Sequence, residues 1–351
     1  MNKEKLICIQ GLRGWAIILI VLWHMNEIFP QCLPSTGGRG AEFFFLISGF
    51  LVAYKYIEND ELNNLRLGVR YASRKIRKLY PLYLITMAPM LLLDLRSFMK
   101  LNASGGGQIT IKLISSVLLL QSWIPNSEYY WAFNGVTWFL SSLIFCYSFS
   151  FITLRILKKY DESCVFITLI LLQFAIETIS LTVLDSGIST WLTYICPAYR
   201  FIDYSLGMCA YMMYKRFKSF SNKKSGWSVP LISILYILVF LICDKSIPYT
   251  IYHMFEYALL LAAVLQQGNI SAIFIENKAT VFLGNISMEI FLTHLPVLRY
   301  TKIIWEKLFS DSYPVFAEWC IILLLIIAVG YLTQKGLNIL HHMRTYKMLK
   351  S

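Results

Sequence analysis

The chain has 351 residues, 57% of them hydrophobic and 15% charged, with a mean hydropathy of +0.57. Soluble domains carry about 25% charged residues, so one aqueous core cannot hide this much apolar surface, and a bilayer is the solvent the composition requires. The formal net charge of +12 does not point to nucleic acid: Lys and Arg gather in cytoplasmic loops beside anionic headgroups, and no basic domain stands apart from the apolar runs. The 8 cysteines show no CxxC and no Cys/His ligand spacing, and predict neither a disulfide framework nor a metal site.

In chain order, Met1 to Lys5 and the apolar run after them lack a small-x-small cleavage site, which predicts a retained first transmembrane helix. Apolar stretches then recur at Leu6–Ile28, Ala41–Tyr56, Tyr80–Leu93, Ile111–Ile124, Val136–Leu157, Val165–Leu184, Trp191–Tyr214, Trp227–Ile242, Tyr249–Gln266, Thr280–Leu298 and Val315–Leu332. Basic residues place five segments on the cytoplasmic side: the N-terminus, the segment from Lys55 to Lys78, the loops at Arg155–Lys159 and Lys215–Lys224, and the tail from Lys335. Those assignments agree only if 80–157 crosses twice. Ile111–Ile124 is too short for the roughly 20 residues a span needs and is read as re-entrant or buried, with Tyr80–Leu93 the other candidate. The expectation is an all-α, polytopic transmembrane helix bundle of about ten spans with both termini cytoplasmic, plus one extra short helix. Residues 1–351 form a single integral-membrane domain, with no internal repeat.

Ionisable side chains inside such spans cost about 2.5–3.5 kcal/mol each on insertion scales and mark cavities or pathways. The first stretch carries Arg13 and His24. Eleven positions is three turns plus about 20°, so the two share a face roughly 16 Å apart along the axis. Glu42 follows near the start of the second stretch, where a carboxylate beside an imidazole would fix its tautomer for general-base work. Ser48 and Gly49 read as permitting close helix packing. Arg66, Arg70, Arg74 and Arg77 form one basic stripe on a helix. Guanidinium forks fit phosphates; the competing reading is a loop lying on anionic lipid. Trp138 opens a later stretch, Arg200 and Asp203 are spaced to pair on one helix face, and Ser287, Glu289 and His294 give the Thr280–Leu298 stretch a polar character that fits the same cavity.

Several of these motifs recur in order: Arg13 and His24 with ten residues between, Gly40-Ala-Glu42-Phe-Phe-Phe-Leu-Ile-Ser-Gly-Phe-Leu51, Arg74-Lys-Ile-Arg77 before Leu-Tyr-Pro81, Trp138-Phe-Leu, and Gly284-Asn-Ile-Ser287-Met-Glu-Ile-Phe-Leu-Thr-His294. In these the chain resembles acyltransferase family 3, the integral-membrane O-acyltransferases, over nearly its whole length. The resemblance implies a roughly ten-helix bundle in the cell membrane, with acyl-coenzyme A, most often acetyl-CoA, as cytoplasmic donor and a hydroxyl of a surface or exported glycan as acceptor. It further implies His24 acting on that hydroxyl with Arg13 in the same essential pair, and Arg74 and Arg77, with Arg70 beside them, on the donor phosphates. Polysaccharide-assembly proteins are implied as partners. One branch of the family has Trp-Ser-Leu closely followed by glutamate; here the run is Trp138-Phe-Leu-Ser-Ser-Leu143, so no carboxylate role attaches there. The alternative class is a transporter or flippase of a lipid-linked glycan, since buried ionisables suit it too; such proteins often carry internal repeats.

Overall fold

A computed structural model describes residues 6–29, 40–100, 106–218, 227–243, 248–265, 269–308 and 315–350. Among the described residues the chain is helical, with no strand. The helices are α1 (Ile7–Ile28), α2 (Gly40–Tyr56), α3 (Leu65–Lys100), α4 (Gly106–Val117), α5 (Ser127–Tyr130), α6 (Trp138–Lys159), α7 (Glu162–Val183) and α8 (Ser186–Thr190). They continue as α9 (Pro197–Phe217), α10 (Ser228–Cys243), α11 (Tyr249–Leu265), α12 (Asn269–Ile275), α13 (Lys278–Asn285), α14 (Ser287–Leu308) and α15 (Val315–Lys350). Lys3, Lys5, Lys223 and Lys224, on which part of the charge topology rests, lie outside the described residues.

Among the described residues five helices are long and apolar enough to cross a membrane: α1, α3 over Leu65–Leu95, the α6 region, α7 and α15. A sixth is added if α13 and α14 count as one span bent by 74°. Lipid holds no water to pair with backbone groups, which such helices satisfy internally, and the chain is a multi-pass membrane protein. The helices that fall short do so for visible reasons. α2 has 17 residues and α10 and α11 have 16 and 17, while α9 carries Arg200 and Asp203 in its first two turns.

The basic stripe and the Tyr80–Leu93 stretch are one continuous helix, α3, which runs through Pro81 and Pro89. The Ile111–Ile124 stretch is not a span: α4 has 12 residues, or about 18 Å. After it the chain turns irregularly to Thr137, with left-handed backbone at Leu119 and Phe133 (φ 55° at both). Irregular backbone survives in a membrane protein only where protein groups satisfy it. Here Tyr80 and Tyr83 hydroxyls donate to the Val117 and Ser116 carbonyls at 2.8 and 2.7 Å. Ser141 Oγ donates to Leu119 O at 2.6 Å, and Phe133 N–H to Asp94 Oδ2 at 3.2 Å.

Two crossings set the positions of the polar groups. α2 and α9 meet backbone to backbone: a Cβ on Gly49 would lie 1.7 Å from Tyr204 O, and one on Gly207 would lie 1.9 Å from Leu46 O. α1 and α13 meet in the same way, through Gly14 and Gly284. Small residues permit such approach, and in lipid close packing carries the association that the hydrophobic effect supplies in water.

Candidate active site

α1 carries His24 on its inward side near its C-terminal end, 14% exposed. His24 Nδ1 lies 2.9 Å from Glu27 Oε2, one helical turn on. The carboxylate can only accept, so Nδ1 carries the proton and Nε2 of the neutral ring holds a lone pair. The Glu42 expected beside this imidazole is elsewhere. No ion pair joins Glu42 to His24; Glu42 Oε1 lies 3.1 Å from Arg200 Nη1, both side chains wholly buried. The physical reason is the α2–α9 crossing, which sets Glu42 in the first turn of α2 against the guanidinium of α9. A buried arginine cannot lose its proton, so it takes whichever carboxylate packing offers.

Across from His24 stands His294 of α14, its ring centroid 5.2 Å away and its plane tilted by 39°. His294 is wholly buried, and its Nδ1 lies 3.1 Å from the Ile290 carbonyl. An aromatic wall continues from it: Phe291 at 6.0 Å, Phe139 at 5.1 Å from Phe291, then Phe45 at 4.6 Å from Phe139, with Trp138 at 6.2 Å from Phe45. Asn134 ties this wall to α14, donating to Leu292 O at 2.9 Å and to Thr86 Oγ1 at 3.2 Å. Trp138 is thus a buried wall residue at some remove from the imidazoles.

Toward the other end of α1, Arg13 donates to Gln10 Oε1 at 3.3 Å, lies 6.0 Å from the Phe44 ring centre, and is within electrostatic reach of Glu289. Arg13 with Glu289, and His24 with His294, are two levels of one α1–α14 seam. Ser287 sits at the break between α13 and α14, where its Oγ donates to Gly284 O at 2.9 Å. It shapes the bend instead of facing the imidazoles.

Arg70, Arg74 and Arg77 lie exposed along α3, and none has a carboxylate partner among the described residues. Arg77 also borders a mainly apolar cleft of about 420 Å³ between α3 and α6, lined by Val69, Ile76, Tyr80 and Ile144 among others.

A second polar cluster, largely absent from the sequence reading, joins α2, α7, α9 and α11. Arg200 Nη1 lies 2.9 Å from Asp203 Oδ2, the expected i,i+3 pair, and Arg200 also donates to the Thr193 carbonyl. Asp203 Oδ1 accepts from Gln173 Nε2 at 2.5 Å and lies 3.3 Å from His253 Nδ1. Glu177 accepts from the Tyr199 hydroxyl at 2.5 Å and from Thr250 Oγ1 at 2.7 Å. Ligand atoms of Glu42, His253 and Glu256 lie within 4.8 Å of one another, a set able to hold a cation, although Arg200 already brings positive charge there. Gln173 with Glu177 and His253 with Glu256, each pair on one helix face inside an apolar run, were the available signal.

The model of acyltransferase family 3, described as an acyltransferase domain, matches residues 6–335. The chain belongs to acyltransferase family 3. It is accordingly an O-acyltransferase, and two of the relatives below carry acyl- or acetyltransferase in their names. A protein of Acidianus two-tailed virus named "Putative acetyltransferase ORF330" is 24% identical over 303 residues, covering 84% of each chain. The acyltransferase MdmB of Streptomyces mycarofaciens is 27% identical over 149 residues, 39% of this chain and 36% of that one. Protein 2 in the picA locus of Rhizobium radiobacter is 30% identical over 87 residues, 25% of this chain and 44% of the relative. No solved structure matches this member of the family significantly.

Proposed function

We propose that the chain moves an acetyl group from cytoplasmic acetyl-coenzyme A to a hydroxyl of a carbohydrate in a surface or exported glycan. It does so from the cell membrane, in a bundle of about ten spans with both termini cytoplasmic. The observation that carries this reading is His24: an imidazole inside a membrane bundle, held by Glu27 with its Nε2 lone pair free. The unpaired stripe of Arg70, Arg74 and Arg77 supports a donor with several phosphates. Arg13, on the helix that carries His24 and within electrostatic reach of Lys75 on α3, suits the polar part of the donor.

In the reaction the acceptor oxygen attacks the thioester carbonyl carbon as its proton passes to His24 Nε2. The C–S bond then breaks, and the leaving thiolate takes that proton from the imidazolium. The products are the ester and the free thiol. Glu27 stabilises the charge His24 carries in between. General-base help of this kind contributes about 10² to 10⁴-fold. Glu42, expected in the orienting role, instead ties α2 to α9 in this mechanism.

The test is acetyl-coenzyme A binding and thioester turnover on the purified, lipid-reconstituted protein, beside Arg74→Ala/Arg77→Ala and His24→Ala. Saturable binding lost in the arginine variant, with turnover lost in the histidine variant, divides the two roles. An active His24→Ala protein refutes the base assignment. A folded wild type that binds no acetyl-coenzyme A refutes the donor and favours a glycan transporter.

A further inference from the structure

His294 is a buried polar group that the reaction above leaves without work. Its Nδ1 faces the Ile290 carbonyl, which can only accept, so Nδ1 carries the hydrogen and Nε2 of the neutral ring is a bare acceptor. That Nε2 is fully buried and has no hydrogen-bond partner. An orphan acceptor in a membrane interior is costly unless something donates to it. His24 is in the same state on the facing helix: Nδ1 is committed to Glu27 and Nε2 has no partner among the described residues. The seam between α1 and α14 therefore presents two imidazoles, 5.2 Å between ring centres, that both seek a donor. Trp23, 4.6 Å from the His24 ring, and Phe291, 6.0 Å from that of His294, flank the pair with apolar faces.

The two rings are not equivalent. His24 has a carboxylate to support an imidazolium. His294 is wholly buried, with a carbonyl, an aromatic ring and another imidazole around it. Only His24 therefore has an anionic neighbour, while every group around His294 is neutral or another imidazole. One ring is built to take a proton and the other only to accept a hydrogen bond.

We propose that His294 is the positioning residue for the acyl acceptor, and that the acceptor class is a polyol with two neighbouring hydroxyls. One hydroxyl gives its proton to His24 Nε2 during transfer. Its neighbour donates a hydrogen bond to His294 Nε2 and so selects which oxygen is acylated. This inference rests on the reading of His24 as the base. It narrows "a hydroxyl" to a diol, which a sugar ring supplies and a simple alcohol does not.

Two measurements on the full-length, lipid-reconstituted protein test it. The first needs no acceptor: Zn²⁺ serves as a probe, because neighbouring imidazoles, 5.2 Å between ring centres, whose Nδ1–H groups are held by oxygen acceptors offer their Nε2 atoms as ligands. Calorimetry should find a Zn²⁺ site in the wild type that disappears in His24→Ala and in His294→Ala alike. A site count unchanged by His294→Ala overturns the shared cavity. The second follows coenzyme A release with methyl glycosides, with their analogues lacking the hydroxyl next to the acylated one, and with water alone.

His294→Leu should raise KM for the intact glycoside by about 10²-fold or more, since a site built to bind a hydroxyl rejects what cannot pair. The deoxy analogue should suffer a similar loss with the wild type, and little further loss with His294→Leu. His294→Gln, which keeps an acceptor oxygen, should restore most of the affinity, and hydrolysis by water should fall clearly less than transfer to the glycoside. Equal loss for glycoside and water, with no rescue by Gln, makes His294 structural and overturns the proposal. Release with water but with no diol overturns the diol subsite while the donor reading stands; no release under any condition refutes the proposed function itself.

Discussion

Arg200 is the buried cation on which the crossing of α2 and α9 depends. Its guanidinium is 0% exposed and lies 3.1 Å from Glu42 and 2.9 Å from Asp203. Replacing it by Met preserves most of the volume but leaves two buried carboxylates without that guanidinium, and the Thr193 carbonyl without its donor. Removing one partner of a buried pair costs about 3–5 kcal/mol. With roughly 2–4 °C of Tm per kcal/mol in large domains, Arg200→Met should melt on the order of 10 °C below the wild type. Thermal unfolding in detergent, read by tryptophan fluorescence and by monodisperse recovery, measures it. The loss belongs to uncompensated charge and not to shape, so Arg200→Met with Glu42→Gln and Asp203→Asn should recover most of it. If the single variant melts within a couple of degrees of the wild type, or the triple variant is no better than the single, the cluster does not hold the crossing together.

Other outcomes follow from the same geometry. Gly49→Ala and Gly207→Ala each drive a methyl to within 2 Å of a facing carbonyl and should cost about 1–3 kcal/mol or more by overpacking. Gly107→Ala and Gly336→Ala, with nothing within 4 Å of the added carbon, should match or slightly exceed wild-type stability. Glu27→Gln should lower turnover about five- to tenfold: a hydrogen bond to a charged group contributes roughly 1.5–3 kcal/mol, discounted to about 1 kcal/mol because Glu27 is 49% exposed. Glu42→Gln should act on melting temperature, not on the pH profile of turnover. A profile that moves with Glu42 and not with Glu27 would reverse the assignment. At the start of α7, Asp161 accepts from the Ser163 backbone N–H at 2.9 Å, which, together with Arg216, holds its carboxyl below the usual range. A depressed folded value means the cap is in place above the ordinary carboxylate range and lost as pH falls through the lowered one. Protection of the 163–164 amides, taken relative to the intrinsic exchange rate at each pH, should therefore fall at low pH in the wild type, less so in Asp161→Asn, and be low at all pH in Asp161→Ala.

What was legible in the sequence depends on the range of the interaction. Membrane residence follows from composition, because lipid tolerates little else over this length. The Arg200–Asp203 pair was legible because it is local, three residues apart on one helix. So was Gly49 as a packing residue, since its reason is its own missing side chain. The partners of His24 were harder. Glu27 also stands three residues away, but a glutamate near the end of an apolar stretch reads as an interface residue, and the more deeply placed Glu42 drew the assignment. Only the α2–α9 crossing commits Glu42 to Arg200, and that crossing joins residues more than 150 positions apart. Likewise the Thr280–Leu298 stretch reads as one apolar run, yet α13 ends at Asn285 and α14 begins at Ser287 on a new axis.

That break is what allows the α1–α14 seam to exist. With α13 packed backbone to backbone against the first half of α1 through Gly14 and Gly284, an unbroken helix would run past the second half on its own straight line. The bend gives α14 a new direction, and along it Glu289 comes within reach of Arg13 while His294 faces His24. Substituting the break therefore tests more than a turn. A variant of Asn285 and Ser287 to alanine that straightens the span should leave His24 and Glu27 paired, since both lie on α1. It should separate the two imidazoles, abolishing the shared Zn²⁺ site while the protein remains folded. Retention of that site in a demonstrably straightened helix would mean that the seam is set by side-chain packing and not by the bend.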